Sequence, residues 1–220
     1  YPLCVALIGW LRPRPIRRAA FEPTVTILIP AWNEEDCIGA TVADKLRQDY
    51  PREKLQIIVA SDGSTDRTDD IVRGFQAQGV TLLRVEGRGG KAVALNRAMR
   101  DATGEIVVFS DANSLFAPDA VRRMVENFAD PEVGYVTGGL RMESGAPSVS
   151  GEGIGAYLRY EALLRDLESS AGSVIGVNGG VDAIRRTLYS DIPANLITDF
   201  VLPLRVMAAG YRVVHDARAR

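Results

Sequence analysis

From Thr24 onward, short apolar runs alternate with amphipathic stretches. Val25–Pro30 (VTILIP) is apolar and rich in β-branched residues, the signature of a buried strand. Glu35–Gln48 follows, with Ile38, Val42 and Leu46 on one helical face. The same pair of signals then recurs. Strands are predicted over Gln56–Ala60, Thr81–Val85, Glu105–Ser110 and Val133–Thr137. Helices are predicted over Asp66–Gln78, Lys91–Met99 and Pro118–Phe128, the last with proline in its first turn. Strands alternating with helices predict an α/β domain with a mostly parallel central sheet and helices on both faces.

Beyond Gly138 the rhythm changes. Arg141–Gly153, rich in Gly, Ser and Pro, reads as a loop, and Ile154–Glu168 as an amphipathic helix. Val174–Val177 and Val181–Ile184, around Asn178-Gly179-Gly180, read as a hairpin or strand-turn-strand. Thr198–Ala209 is a helix stopped by Gly210, and Arg212–His215 a final short strand.

Composition narrows the function classes. The 220 residues suit one large domain or one domain with an appendage. A hydrophobic fraction of 46% supports a real core and argues against disorder. A formal net charge of −2 argues against a nucleic-acid partner held by bulk charge. Cys4 and Cys37 make neither a disulfide framework nor a zinc spacing. A single histidine, His215, excludes sites that need two imidazoles.

The charge is unevenly placed. Tyr1–Leu11 carries none, Arg12, Arg14, Arg17 and Arg18 follow, and the first acid is Glu22. The apolar run is shorter than the ~20 residues that span a bilayer. An apolar run ending in arginines nevertheless fits the cytoplasmic end of a transmembrane helix; the alternative is a surface arm with a hydrophobic staple. Residues 1–22 are therefore expected to be the end of a transmembrane helix with a basic juxtamembrane segment. Residues 23–220 are expected to form the folded domain, on the cytoplasmic side and truncated at its C-terminus.

Ligands of open α/β sheets bind outside the carboxyl ends of the strands. Four polar clusters stand there: Pro30-Ala31-Trp32-Asn33-Glu34 after the first strand, Asp62-Gly63-Ser64-Thr65-Asp66 after the second, Gly89-Gly90-Lys91 before a helix, and Asp111-Ala112-Asn113 after the fourth. Glycines before a helix N-terminus allow close approach of an anion, and Lys91 adds a cation. Asp111 and Asn113, two apart at a strand end, can face one side and offer hard oxygen donors; an Asx turn is the bland reading of the same residues. Asp66 reads as a helix-start acid.

The ordered segments TVTILIPAWNEE, VASDGSTDRT, GGKAVALNRA, FSDANSLFAPDAVRRMV and ITDFVLPLRVMAAGYRV resemble the inverting family 2 glycosyltransferases with a GT-A nucleotide-diphospho-sugar-binding fold. The resemblance covers nearly the whole chain. It implies donor contacts at Pro30, Ala31, Asn33, Glu34, Asp62, Lys91, Asp111 and Ala112. It places a divalent metal, Mg²⁺ or Mn²⁺, on Asp111 and Asn113, the position of the family's paired acids; here the second acid is an asparagine. It makes Asp199 the catalytic base, with Thr198 where the family usually has an acid. The implied reaction transfers a sugar from a nucleoside diphosphate sugar, a UDP-sugar first among them, to a carbohydrate or lipid-linked acceptor at a membrane, in polysaccharide or glycolipid synthesis. The alternative is a non-catalytic nucleotide-sugar-binding protein of the same fold. A dinucleotide oxidoreductase is disfavoured, because no GxGxxG follows the first strand.

Overall fold

The computed structural model describes residues 2–139, 149–177 and 179–220. Seven strands form one sheet: β1 (Val25–Ala31), β2 (Leu55–Asp62), β3 (Val80–Val85), β4 (Ile106–Phe109), β5 (Val133–Gly138), β6 (Asp182–Arg185) and β7 (Arg212–Asp216). Their spatial order is β3-β2-β1-β4-β6-β5-β7. Every neighbouring pair is parallel except β6 with β4 and β6 with β5. The sheet is thus mostly parallel, as expected, with one reversed strand in its middle.

Alternation along β1 sorts its side chains between two cores. Ile27 and Ile29 join Val59 under α2 (Ile38–Leu46), α3 (Thr68–Arg73) and α5 (Ala120–Glu126). Leu28 and Ile58 join Ala94 and Leu95 of α4 (Lys91–Met99) and Leu202 and Val206 of α7 (Thr198–Ala208) on the other face. Pro30 sits in β1 beyond Leu28, the last residue paired with β4, so its missing N–H breaks no ladder on that side.

Two sequence expectations are corrected. Residues 174–177 form no strand; the Val174 amide instead donates to the Val213 carbonyl. The predicted hairpin therefore does not form, and β6 pairs antiparallel with β4 and β5. The predicted 141–153 loop is shortened, because α6 (Val149–Ala171) starts inside it; the rest of that loop, and Asn178, lie outside the described residues.

The N-terminus is part of the folded body. α1 (Pro2–Leu11) packs on α6, with Gly9 against Leu167, Ser170 and Ala171. An extended arm follows, held by Arg14 N to Ser170 O, Arg17 N to the Asp130 carboxylate and Ala19 N to Glu126 O. Among the described residues, no helix is long and apolar enough to cross a membrane.

Candidate active site

The strand-end clusters converge. Pro30, Ala31, Glu34, Asp62, Lys91, Asp111 and Ala112 line one cleft of about 280 Å³, together with Trp32, Ala94 and Asn113. Asn33 does not line it. Its backbone is left-handed, with φ 53°, and its amide oxygen accepts the Thr65 N–H at 2.8 Å. Asn33 ties the loop after β1 to the loop after β2. Glu34 N donates to Thr68 Oγ1 at 2.8 Å, and Glu35 N to Asp66. Asp66 also accepts the Thr68 amide, so it serves the start of α3 as its position suggested.

Asp62 is buried and accepts the amides of Gly89 at 2.8 Å and Gly90 at 2.7 Å. Gly90 takes φ +89°, a conformation that strains other residues. These two N–H groups are therefore spent on Asp62 rather than left for a phosphate. Each carboxylate oxygen still has acceptor capacity for a ligand N–H. Arg88, in the same loop, lies 3.6 Å over the Trp32 ring on the cleft rim.

Lys91 opens α4 and carries the cleft's cation. Its Nζ is 2.9 Å from Asp111 Oδ1 and 3.3 Å from Asp199 Oδ2. Burial pulls the ammonium pKa down, but the two carboxylates outweigh it and the net shift is upward. Asp199, in the first turn of α7, also accepts the Thr198 hydroxyl at 2.9 Å. Two glycines make room for the acids. A side chain on Gly179 would collide with the Asp199 carboxylate, and one on Gly180 would press on Asp111 Oδ2.

Sequence reading missed the support behind this cluster. A polar stripe on α2 and the residues just after it clamps the loop that follows β4. Thr41 Oγ1 donates to Ala112 O at 2.6 Å, Lys45 Nζ to Ser114 O at 2.6 Å, and Gln48 Nε2 to Ala117 O at 3.1 Å, while Asp44 accepts the Phe116 amide. Its signal was in the sequence, as polar residues at helical spacing on the same face as Ile38 and Val42. Asp182, the first residue of β6, is a buried acid. It is 1% exposed, and its Oδ1 has no partner among the described residues. Burial drives its pKa well up, the Thr137 hydroxyl opposes this, and the charge on Asp199 adds to it. Arg185 and Arg186 donate to main-chain carbonyls, including Val133 O and Gly104 O, and do not line the cleft. His215 is buried beside Asp166, away from the cleft.

Residues 26–188 match the family model "Glycosyl transferase family 2". The chain belongs to that family. This family 2 chain is similar to a poly-beta-1,6-N-acetyl-D-glucosamine synthase of Staphylococcus aureus, with 27% identity over 89% of this chain and 48% of the relative. It thus spans about half the length of the curated relatives it matches. Among solved structures it resembles the mannosyltransferase PcManGT from Pyrobaculum calidifontis in complex with GDP-Man and Mn²⁺, at TM-score 0.83 and 31% identity over 99% of this chain and 63% of that one. Staphylococcus aureus TarS in complex with UDP matches at TM-score 0.66 and 18% identity, over 88% of this chain and 58% of that one, a likeness of fold. The fold is GT-A, as the sequence led one to expect, on the strength of the family match and the similar mannosyltransferase structure.

The donor set of the family 2 cleft fits a hard divalent cation. Asp111 offers a carboxylate, Asn113 an amide oxygen, and Gly180 leaves the space beside Asp111 free of a Cβ. Among the described residues, no group of three or more His, Cys, Asp or Glu could hold a metal alone. The remaining ligands would have to come from water and a bound diphosphate, a common arrangement for Mg²⁺.

Proposed function

We propose that this chain transfers a sugar, with inversion, from a nucleoside diphosphate sugar to an acceptor hydroxyl. The observation that carries the reading is Lys91, whose ammonium joins Asp111 and Asp199 at the edge of the cleft. One cation thereby links the acid on the phosphate side to the acid on the acceptor side.

In this reading Asp199 accepts the acceptor's hydroxyl proton as that oxygen attacks the anomeric carbon. The bond from that carbon to the diphosphate breaks, and its electron pair leaves on the nucleoside diphosphate. Lys91 offsets the growing charge there. A divalent cation held by Asp111 and Asn113 would supply further charge neutralisation on the diphosphate. Asp62, Glu34 and the Trp32–Arg88 pair bound the base and ribose end. The donor reading begins with UDP-sugars, and GDP-mannose is a second arm because a relative of 31% identity is complexed with GDP-Man. We further propose that the chain works at the cytoplasmic face of a membrane, on a carbohydrate or lipid-linked acceptor, in polysaccharide or glycolipid synthesis. The apolar run before Arg12, Arg14, Arg17 and Arg18 and the polysaccharide-making relatives support this.

The test is a donor screen by calorimetry with and without Mn²⁺, followed by a transfer assay on wild type and Asp199→Asn. The variant is expected to bind donor normally and to lose transfer. Full activity in Asp199→Asn would sink the base assignment. Donor binding by wild type with neither hydrolysis nor transfer would favour the non-catalytic reading, which Thr198 and Asn113 motivate.

A further inference from the structure

A second pocket, of about 450 Å³, lies between the N-terminal arm, α6 and the end of β7. It is larger than the cleft and shares no residue with it. Three arginines are among the residues that line it, Arg14, Arg18 and Arg218. Two are pinned from within. Asp216, 2% exposed, accepts Arg218 Nε at 2.9 Å and Nη2 at 2.7 Å. Arg18 Nε donates to Asn127 Oδ1 at 2.8 Å and stands 3.4 Å from Asp216. Arg14 spends Nη2 on Glu132 at 2.9 Å.

What remains unspent matters most. Both terminal nitrogens of Arg18, Nη1 of Arg218 and Nε and Nη1 of Arg14 make no hydrogen bond among the described residues. The acid on the outer wall, Asp166, is engaged by the His215 ring at 2.8 Å. Rigid guanidinium forks with free donors suit a phosphate group.

The neighbouring surface says where that phosphate comes from. α1 runs directly into the arm and exposes Leu7, Trp10 and Leu11 at 54%, 75% and 62%, while Leu163 of α6 is 58% exposed. Apolar side chains and an exposed tryptophan beside arginines are the chemistry of an element lying in a bilayer surface.

We propose that this pocket binds the phosphate headgroup of an anionic membrane lipid, with Arg14, Arg18 and Arg218 as donors and α1 seated in the lipid surface. The site rests on the proposed membrane setting and is independent of the transfer reaction.

The test is sedimentation of the chain with vesicles of phosphatidylcholine, alone or mixed with phosphatidylglycerol, with soluble glycerol phosphate as competitor. Three variants are compared. Arg18→Gln removes free donors, Ser170→Phe fills the pocket from an exposed position without removing charge, and Arg12→Gln removes an arm charge outside the pocket. Melting temperatures check that each variant folds. The expected result is tighter binding to the mixed vesicles, competed by glycerol phosphate. Arg18→Gln and Ser170→Phe should each weaken it about tenfold, and Arg12→Gln by less than about threefold. Equal losses from Arg12→Gln and Arg18→Gln, or full binding by Ser170→Phe, would overturn the pocket in favour of a diffuse basic collar. Glycerol phosphate binding without vesicle binding would overturn the lipid assignment. Equal binding to both vesicle types would leave the membrane setting standing and the pocket refuted, whereas binding to neither would refute both.

Discussion

Gly179 lies against the Asp199 carboxylate, so closely that a methyl group at position 179 would overlap an Asp199 oxygen. The main chain ahead of β6 therefore serves as the wall that sets where the proposed base can stand. Gly179→Ala is expected to displace Asp199 while leaving the far end of the cleft untouched. Displacing a catalytic group by about 1 Å lowers turnover roughly a hundredfold. Steady-state kinetics should show that loss in kcat with donor KM nearly unchanged; an equal rise in KM would mean that the donor itself was displaced.

Lys91 is the shared cation of Asp111 and Asp199. Lys91→Met leaves those acids facing each other without it and removes a donor to the diphosphate. Donor affinity in the presence of Mn²⁺ is expected to fall between about tenfold and a hundredfold by calorimetry. Unchanged affinity would take Lys91 away from the diphosphate.

Lys45 is fully buried, with Nζ on Asp44 at 2.9 Å and on Ser114 O. Burial lowers its pKa to about 8 from 10.5, against the opposing pull of Asp44. Between those pH values the unfolded chain holds the extra proton, so this residue makes stability rise with pH. Urea titrations should show wild type gaining on Lys45→Met from pH 8 to 10.5. A stability difference that stays flat over that range would contradict the assignment.

Asp182 shifts the other way. Its folded pKa lies well above the ordinary value of 3.8, so its favourable contribution is complete below that value and is lost as pH rises through the folded pKa. Asp182→Asn keeps the shape and removes the ionisation. Thermal melts should find the variant more stable than wild type at pH 8 and the gap closing toward pH 4. A gap that widens in acid would rule out a protonated buried carboxyl.

Most of the fold was legible because its causes are local. VTILIP, QIIVA and EIVVFS are apolar runs of strand length, and the stretches between them repeat at helical spacing. β6 was harder. Val181–Ile184 reads as a strand, but nothing within it says that it will enter between β4 and β5 in the reverse direction. Strand pairing is a choice among partners distant in sequence, and a short strand buried on both faces carries no mark of its neighbour.

The sequence by itself determined that an α/β sheet would present its polar clusters at one edge, because side-chain period and turn chemistry act within a few residues. It also singled out Asp62, Lys91, Asp111 and Asp199 as candidates for the site. Only the tertiary structure decided what each of them touches. It spent the Gly89 and Gly90 amides on Asp62, sank Asp182 beneath the cleft, turned Asn33 toward Thr65 and folded the arginines of the arm around a second pocket. These outcomes depend on which groups meet after distant segments pack. Burial and pairing then set each group's charge and its free hydrogen-bonding capacity, and neither can be read along the chain.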